Sequence, residues 1–493
     1  MKVLCAFAVS VLVMSATVNA QTPDPPFPVA GTVIDLSPVF VPRDDARTRI
    51  VILPGDTPVQ VTGRQGIWFR VVFASAQGEE AGLMEPHDIR IDPDALSLSG
   101  GFESRRLTER GFVDLRGVGF PQTASNDASR VVGDTLVRQE VFARPARWLQ
   151  FALGVDLRGS SHDQVEDEWR VDLEDRGALR PRVAVRRLGV ALTSRHVSLD
   201  LGKQFIRWGR ADILSPVDRF APRDYLNLLD SEFLPVIGAR ASIRAAAETF
   251  ELVWVPQMTP SRLPLLGRRW TVVPPEAAGM ALEDHGAVFP DESEQGIRWS
   301  HAGRFEMGLS VFDGFNHLPD IQAVVDPGRG TVALTRTYPA LRTYGGEIAI
   351  PTRTFTLKSE AAWFTSPTST SEEYLLIVVE AERQMGEWLL NVGYAGEVVT
   401  TSREGTPFPA ERGVARSIIG RASYTIDPTR SVEIEGAARQ NGEGVYAKGA
   451  FSQTFGGHWR LTLAAAGIAG TDNDFLGQYE RNSHATATLR LSY

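Results

Sequence analysis

Between residues 202 and 225 the chain concentrates amide, aromatic and charged side chains of both signs. Gly202-Lys203-Gln204-Phe205-Ile206-Arg207-Trp208-Gly209-Arg210-Ala211-Asp212 is followed by Pro216-Val217-Asp218-Arg219 and by Ala221-Pro222-Arg223-Asp224-Tyr225. Gln204, Arg207, Trp208, Arg210, Asp212, Asp218, Arg219, Arg223 and Asp224 put an amide, an indole and both signs of charge in one loop of about 28 residues, longer than an unstructured connection usually runs. Arginines facing aspartates across a water-filled constriction set a transverse field that orients polar solutes. The same residues can instead pair with one another and stiffen the segment, and the two roles are compatible.

Hydrolytic chemistry needs a nucleophile beside a base. The sequence offers Ser161-His162-Asp163, Ser194-Arg195-His196 and Ser483-His484. Neighbours on a strand point to opposite faces, which separates Ser483 from His484. No glycine-rich phosphate loop occurs, and no His or Cys cluster has metal-ligand spacing. No catalytic residue, metal or cofactor is therefore expected, and the chain does not read as an enzyme.

The elements that would carry the charged loop are long alternating strands. Phe355, Leu357, Ser359, Ala361 and Trp363 alternate with Thr354, Thr356, Lys358, Glu360 and Ala362. Similar runs surround Ile434 and Leu463, each close to the 9 to 11 residues that a tilted membrane strand needs. After residue 20 no stretch approaches 18 apolar residues, so spanning must rely on strands. Aromatic residues stand near strand ends at Trp148, Trp363, Trp388, Tyr394, Trp459 and Tyr493, where an interfacial girdle would sit. A formal net charge of −9, from 51 basic and 60 acidic residues, argues against a nucleic-acid partner.

At the C-terminus Ala485, Ala487, Leu489, Leu491 and Tyr493 alternate with Thr486, Thr488, Arg490 and Ser492. This resembles the terminal signature of outer-membrane β-barrel proteins, which implies recognition of the strand ending at Tyr493 by the barrel assembly machinery and contact with outer-membrane lipid. Met1-Lys2, an apolar run to Met14 and the small residues up to Ala20 read as a secretory signal peptide over 1–20. It holds the single cysteine, Cys5, so the mature chain would have no thiol. The compartment implied is the outer membrane of a Gram-negative bacterium.

Counting back from Tyr493 gives strands near 482–493, 458–468, 444–455, 430–440, 414–426, 387–396, 373–384, 353–364, 343–350 and 305–313. Upstream lie 295–302, 249–256, 236–247, 197–207, 183–193, 147–158, 137–144 and 110–119, about 18 in all, or 16 without the first two. An even count leaves both barrel ends in the periplasm. Glu360, Glu380, Glu382, Glu433 and Glu435 fall on inward positions of one wall, and Arg240, Arg244, Arg421, Arg439, Arg460 and Arg490 on others. Such a mixed lumen suits polar solutes without strong ion selectivity, or simply keeps the interior wet. The Pro-rich region 257–294 reads as an extracellular surface loop, with a lid as the alternative.

Residues 29–91 have another grammar, with short β-branched runs broken by turns. Val41-Pro42-Arg43, Leu53-Pro54-Gly55, Val59-Gln60-Val61, Trp68 to Val71 and the closing Gly82-Leu83-Met84 resemble the bacterial SH3 family. That family's second tryptophan is absent here, and Trp68 is either a core residue or a ligand contact. The resemblance implies a periplasmic module that binds peptidoglycan or a protein partner. Residues 92–108 read as a linker. The box at 202–225 resembles a strand end found in porin-like families related to the alginate-export channel.

The resulting expectation is an all-β chain, in which a small SH3-like barrel (29–91) precedes a large antiparallel transmembrane β-barrel (109–493). It would act as an outer-membrane channel or export porin for polar solutes. The alternatives are a plugged-barrel anchor or scaffold and an outer-membrane hydrolase.

Overall fold

The computed structural model describes strands within 29–91 and, from Leu107 to Tyr493, all residues except 213, 274–276, 278, 370 and 404–411. The signal segment 1–20 and linker residues 92–106 lie outside the described residues, and residues 107 and 108 already belong to a strand. The chain divides into two compact units, Met1–Ser104 and Arg105–Tyr493.

In the first unit, seven strands form one antiparallel sheet: Val29–Val33, Ser37–Pro42, Thr48–Leu53, Pro58–Gln65, Trp68–Ser75, Gly78–Met84 and Ile89–Ile91. Period-two patterning puts Val59, Val61, Val71 and Phe73 on one face, where they join Val39, Leu53, Met84 and Ile89 in a buried cluster. Trp68 opens the fifth strand, and its side chain lies outside the described residues.

The second unit is a closed barrel of 18 long strands. Its first nine are Leu107–Gly119, Val131–Ala146, Leu149–Ser160, Val183–Thr193, Val197–Gln204, Val236–Ala245, Glu248–Val255, Glu294–Ala302 and Glu306–Phe315. The other nine are Ala340–Pro351, Thr356–Thr365, Glu373–Met385, Trp388–Thr401, Ser417–Asp427, Arg430–Arg439, Gly444–Phe455, Trp459–Gly470 and His484–Ser492. All 18 strands expected from the alternation are present, including the two upstream ones on which the count of 16 or 18 turned. A two-residue stub, Val171–Asp172, adds in parallel to the strand from Val183.

Closure occurs between the last strand and the first, from Ala485 opposite Gly119 to Ser492 opposite Phe112. Tyr493 and Gly111 then exchange backbone hydrogen bonds of 3.0 and 3.1 Å. No edge is left open, so the ladder satisfies its own backbone groups, as a lipid environment requires.

Alternation sorts the side chains cleanly. On the strand from Glu248, Phe250, Leu252 and Trp254 are exposed on the outer face, while Glu251, Val253 and Val255 are buried within. Trp148, Trp363, Trp388, Tyr394, Trp459 and Tyr493 are all exposed as well. The outer wall is therefore apolar with aromatic residues among its exposed side chains, and the inner wall carries the charges.

Region 257–294 departs from a simple surface loop. Met258, Thr259, Ser261, Arg262, Arg269 and Trp270 are buried. The Arg269 guanidinium donates to the carbonyls of Gln122, Ser129 and Arg481, which come from loops flanking the first and last strands. Trp270 joins Ile468, Leu476 and Tyr479. Apolar groups seeking burial and guanidiniums seeking carbonyl partners thus draw the segment to the far side of the barrel. Ala281–Val288 continues into a three-stranded sheet with Thr331–Thr337 and Asp320–Asp326, elements whose short runs gave no strand signal.

Candidate pore constriction

The strand Val197–Gln204 has only eight residues, and segment 205–235 leaves the wall at its end before returning at Val236. Its first half packs on the inner wall. Ile206, Trp208, Val217 and Phe220 join Val253, Val255, Phe312, Leu341, Phe364 and Leu376 in one buried cluster. Trp208 meets Phe220 edge-on at 5.1 Å, and Phe220 meets Phe312 at 5.0 Å. A Cβ on Gly296 would stand 2.6 Å from the Trp208 ring, so that glycine makes the seat. Burying each large apolar side chain here contributes roughly 1.5–3 kcal/mol to holding the segment in the lumen.

Polar anchors complete the attachment. The Asp218 carboxylate accepts the N–H groups of Trp208 (2.6 Å) and Gly209 (2.7 Å) and pairs with Arg207 (3.2 Å). Glu360 accepts the Ala211 N–H (2.6 Å), the Ser215 hydroxyl (2.7 Å) and the Arg210 N–H. Glu380 accepts the Asp212 N–H at 3.0 Å. Asp212 itself accepts from Lys358 (2.8 Å) and Asn391 (3.0 Å), and Lys358 also reaches Glu382 (2.9 Å). Arg210 pairs with Glu347 (3.0 Å) and with Glu306.

The second half turns to other walls. Asp230 pairs with Arg116 (2.5 Å) and Lys448 (2.7 Å), and Glu232 with Arg158 (2.8 Å). Burial alone would push the Asp230 carboxyl up, but Arg116 and Lys448 outweigh it and hold the group at about 2. Asp224 sits in a buried chain of alternating charge, Lys203–Asp175–Arg262–Asp224–Arg180, with contacts of 2.6, 2.7, 3.3 and 2.8 Å. Burial opposes its charge, and Arg180 and Arg262 nonetheless hold its carboxyl below the usual range. The two inward segments also pair directly. Tyr225 N–H donates to the Arg262 carbonyl and Arg262 N–H to the Arg223 carbonyl, both at 2.9 Å.

The nine residues of the box therefore divide by role. Trp208, Asp218 and Asp224 are buried and hold shape, which differs from the expectation that they face an open gap; folding the loop inward desolvates them, and each buried carboxylate takes charged and N–H partners. Gln204 donates to the carbonyls of Asp200 and Gly238 at the strand end. Arg207 and Arg223 lie against Phe233, 4.2 and 4.0 Å from its centre, and Arg219 lies 5.0 Å over Phe364. Arg210 and Asp212 bind opposite charges of the wall.

The barrel is similar to solved porins. A BenF-like porin from Pseudomonas fluorescens aligns with 80% of this chain and 99% of its own, at 11% identity and a TM-score of 0.48. OccAB4 from Acinetobacter baumannii aligns with 80% and 99% at 10% identity and 0.46, and OpdK from Pseudomonas aeruginosa with 78% and 98% at 11% and 0.45. No family model matches the chain. No curated protein matches it either.

On the wall, Glu360 and Glu380 are taken up by the loop, so two members of the expected acidic face are buried rather than bathed in water. Glu382 serves Lys358, and Arg240 pairs with Glu251. Arg421 pairs with Glu435 (2.9 Å), Glu433 accepts from Ser423, and Arg490 holds Asp114 (2.7 Å). Arg439 binds Asp474 (2.9 Å) and the Gly413 and Ala415 carbonyls, fastening loops. Arg244 and Arg460 are exposed. Ser483 engages Ile468, and His484 donates Nδ1–H to the Asn482 carbonyl, so the two do not form a dyad.

Several residues escaped the sequence reading. Lys358, Glu347, Arg298, Arg116, Lys448 and Asp230 acquire roles only through partners far away in the chain. A register irregularity opposite Gly154 and Val155 accompanies the adjacent Arg186 and Arg187, which both lie against Phe205, at 4.5 and 5.5 Å. The doubled arginine inside a strand was the available signal, because strict alternation would send one of the pair into lipid.

Proposed function

We propose that this protein is an outer-membrane channel for polar solutes, narrowed by the inward segment 205–235, with its long loops extracellular and its short turns periplasmic. The observation that carries the reading is a closed barrel, apolar outside and charged inside, whose inward segment is bonded to several walls of the lumen. Arg207, Arg210, Asp212, Arg219 and Arg223 are the charged groups of that segment proposed to meet the solute.

Residues 1–20 act in this reading as a signal peptide, and the strand ending at Tyr493 addresses the assembly machinery. The unit at 29–91 resembles SH3 modules and serves as a periplasmic tether to peptidoglycan or a protein partner. The resemblance of the 202–225 box to alginate-export relatives favours export of a polar product as one direction of use.

Planar-bilayer conductance of residues 21–493 tests this. Discrete steps are expected. Silence from a folded, heat-modifiable barrel would overturn the channel and favour a plugged anchor, which the pairing of segment 205–235 with residues 257–273 supports as the second reading.

A further inference from the structure

The outer wall carries one feature that an evenly apolar surface does not need. Four consecutive barrel strands, Val131–Ala146, Leu149–Ser160, Val183–Thr193 and Val197–Gln204, frame an open groove of about 400 Å³ with a lining that is almost entirely apolar. Phe151 and Leu153 form one side and Leu188 and Leu201 the other, all four exposed on the outer face. Ala143, on the strand beyond Phe151, and Gly189, next to Leu188, bring no long side chain to the lining.

The turns that close these same two hairpins hold Arg147 with Trp148 and Arg195 with His196. The turns are tied together by the Thr193 N–H donating to the Trp148 carbonyl at 2.9 Å. All four residues are exposed. Arg195 and His196 have no side-chain partner among the described residues. An apolar trough that begins three residues from the exposed Trp148 indole and five from Arg195 and His196 has the chemistry of a lipid seat. Hydrocarbon fills the trough, the phosphate meets the cation, and the indole lies at the interface.

We propose that this groove holds one acyl chain of an anionic phospholipid of the periplasmic leaflet, with its phosphate at Arg195 and His196. The proposal rests on the membrane reading above, and its test is separable from the channel. The full-length barrel in detergent is titrated with dioleoyl phosphatidylglycerol or dioleoyl phosphatidylcholine, and retained lipid is counted by native mass spectrometry.

One retained phosphatidylglycerol is expected, favoured about fivefold or more over phosphatidylcholine, as one or two cations near the phosphate would give. Ala143→Trp fills the trough from outside and should lose retention of both lipids. Arg195→Gln with His196→Gln lies in a turn, spares the barrel, and should keep retention while losing the preference. Equal retention by wild type and A143W, or an unchanged preference in the turn variant, would overturn the proposal. A wild-type dimer that A143W dissociates would also overturn it, in favour of a second copy in the groove. Conductance of the same preparations reports on the channel alone.

Discussion

Glu347 lies in the space that Gly308 leaves on the adjacent strand. A Cβ built on Gly308 would stand 2.8 Å from Glu347 Oε1, closer than packing allows. Through that notch the carboxylate reaches Arg298 on the strand beyond and Arg210 on the inward segment. Arg298 continues to Glu251, which holds Arg240, so alternating charges run along the wall from the strand at Val236 to the tip of the loop. The position of the loop thus depends on a residue with no side chain.

Gly308→Val should displace Glu347, uncouple Arg210 and leave the outer wall intact. Heat-modifiability should be unchanged while open-channel conductance rises or becomes noisy. An unaltered current would show that Arg210 is held by Glu306 and the Glu360 contact alone.

The contact of Asp212 with Lys358 invites a double-mutant cycle. Asp212→Asn and Lys358→Met should each loosen the tip, costing about 1.5–3 kcal/mol for a hydrogen bond to a charged group. The double variant should cost little more than either single one, so the coupling should come close to one single cost, roughly 1.5–3 kcal/mol. Chemical denaturation of the refolded barrel, monitored by tryptophan fluorescence, gives the three values, and strict additivity would refute the pairing.

Asp175→Asn breaks the charge chain that joins residues 161–182, strand residue Lys203 and both inward segments. Removing one member of a fully buried network costs about 3–5 kcal/mol. Limited proteolysis should cut within 161–182 or 257–273 in the variant while wild type resists. Equal resistance would mean that apolar packing alone fastens these loops.

The pH dependence of docking has a definite sign at Asp230. Its carboxyl is held at about 2 by Arg116 and Lys448, against about 3.9 in an unfolded chain. A depressed acid contributes stability that is fully present above about pH 4 and is lost as pH falls towards 2. The part of the conductance that depends on the Asp230 contacts, read as the difference between wild type and Asp230→Asn, should therefore stay constant from neutral pH down to about pH 4 and change only below it. In Asp230→Asn the change should already be present at neutral pH.

Among the described residues Arg186 has no carboxylate within ion-pair distance, and it lies near Arg138. Arg186→Gln should shift the reversal potential towards cation preference in a salt gradient. An unmoved potential would place the conducting path elsewhere in the lumen.

Deletion of 29–91 should leave conductance intact and abolish co-sedimentation with peptidoglycan. Sedimentation unchanged by the deletion would remove the tether.

Strand number, strand faces and barrel closure were legible in the chain because they rest on local period-two patterning, which each strand expresses by itself. Glu360 and Glu380 share the inward parity of their strands for the same reason. Their partners were not legible, since Arg210, Ala211 and Asp212 reach them across about 150 residues of sequence, and no local period encodes a contact of that separation. The 202–225 box announced itself by its charge and length, yet whether Asp218 would face water or cap the N–H groups of Trp208 and Gly209 depended on where the segment folded. The buried path of 257–273 was likewise hidden, because a Pro-rich polar stretch carries no period, and only Gln122, Ser129 and Arg481 standing together at one end of the closed barrel give Arg269 somewhere to bind. Alternation is a property of adjacent residues, whereas the filling of a lumen is a property of the closed ring.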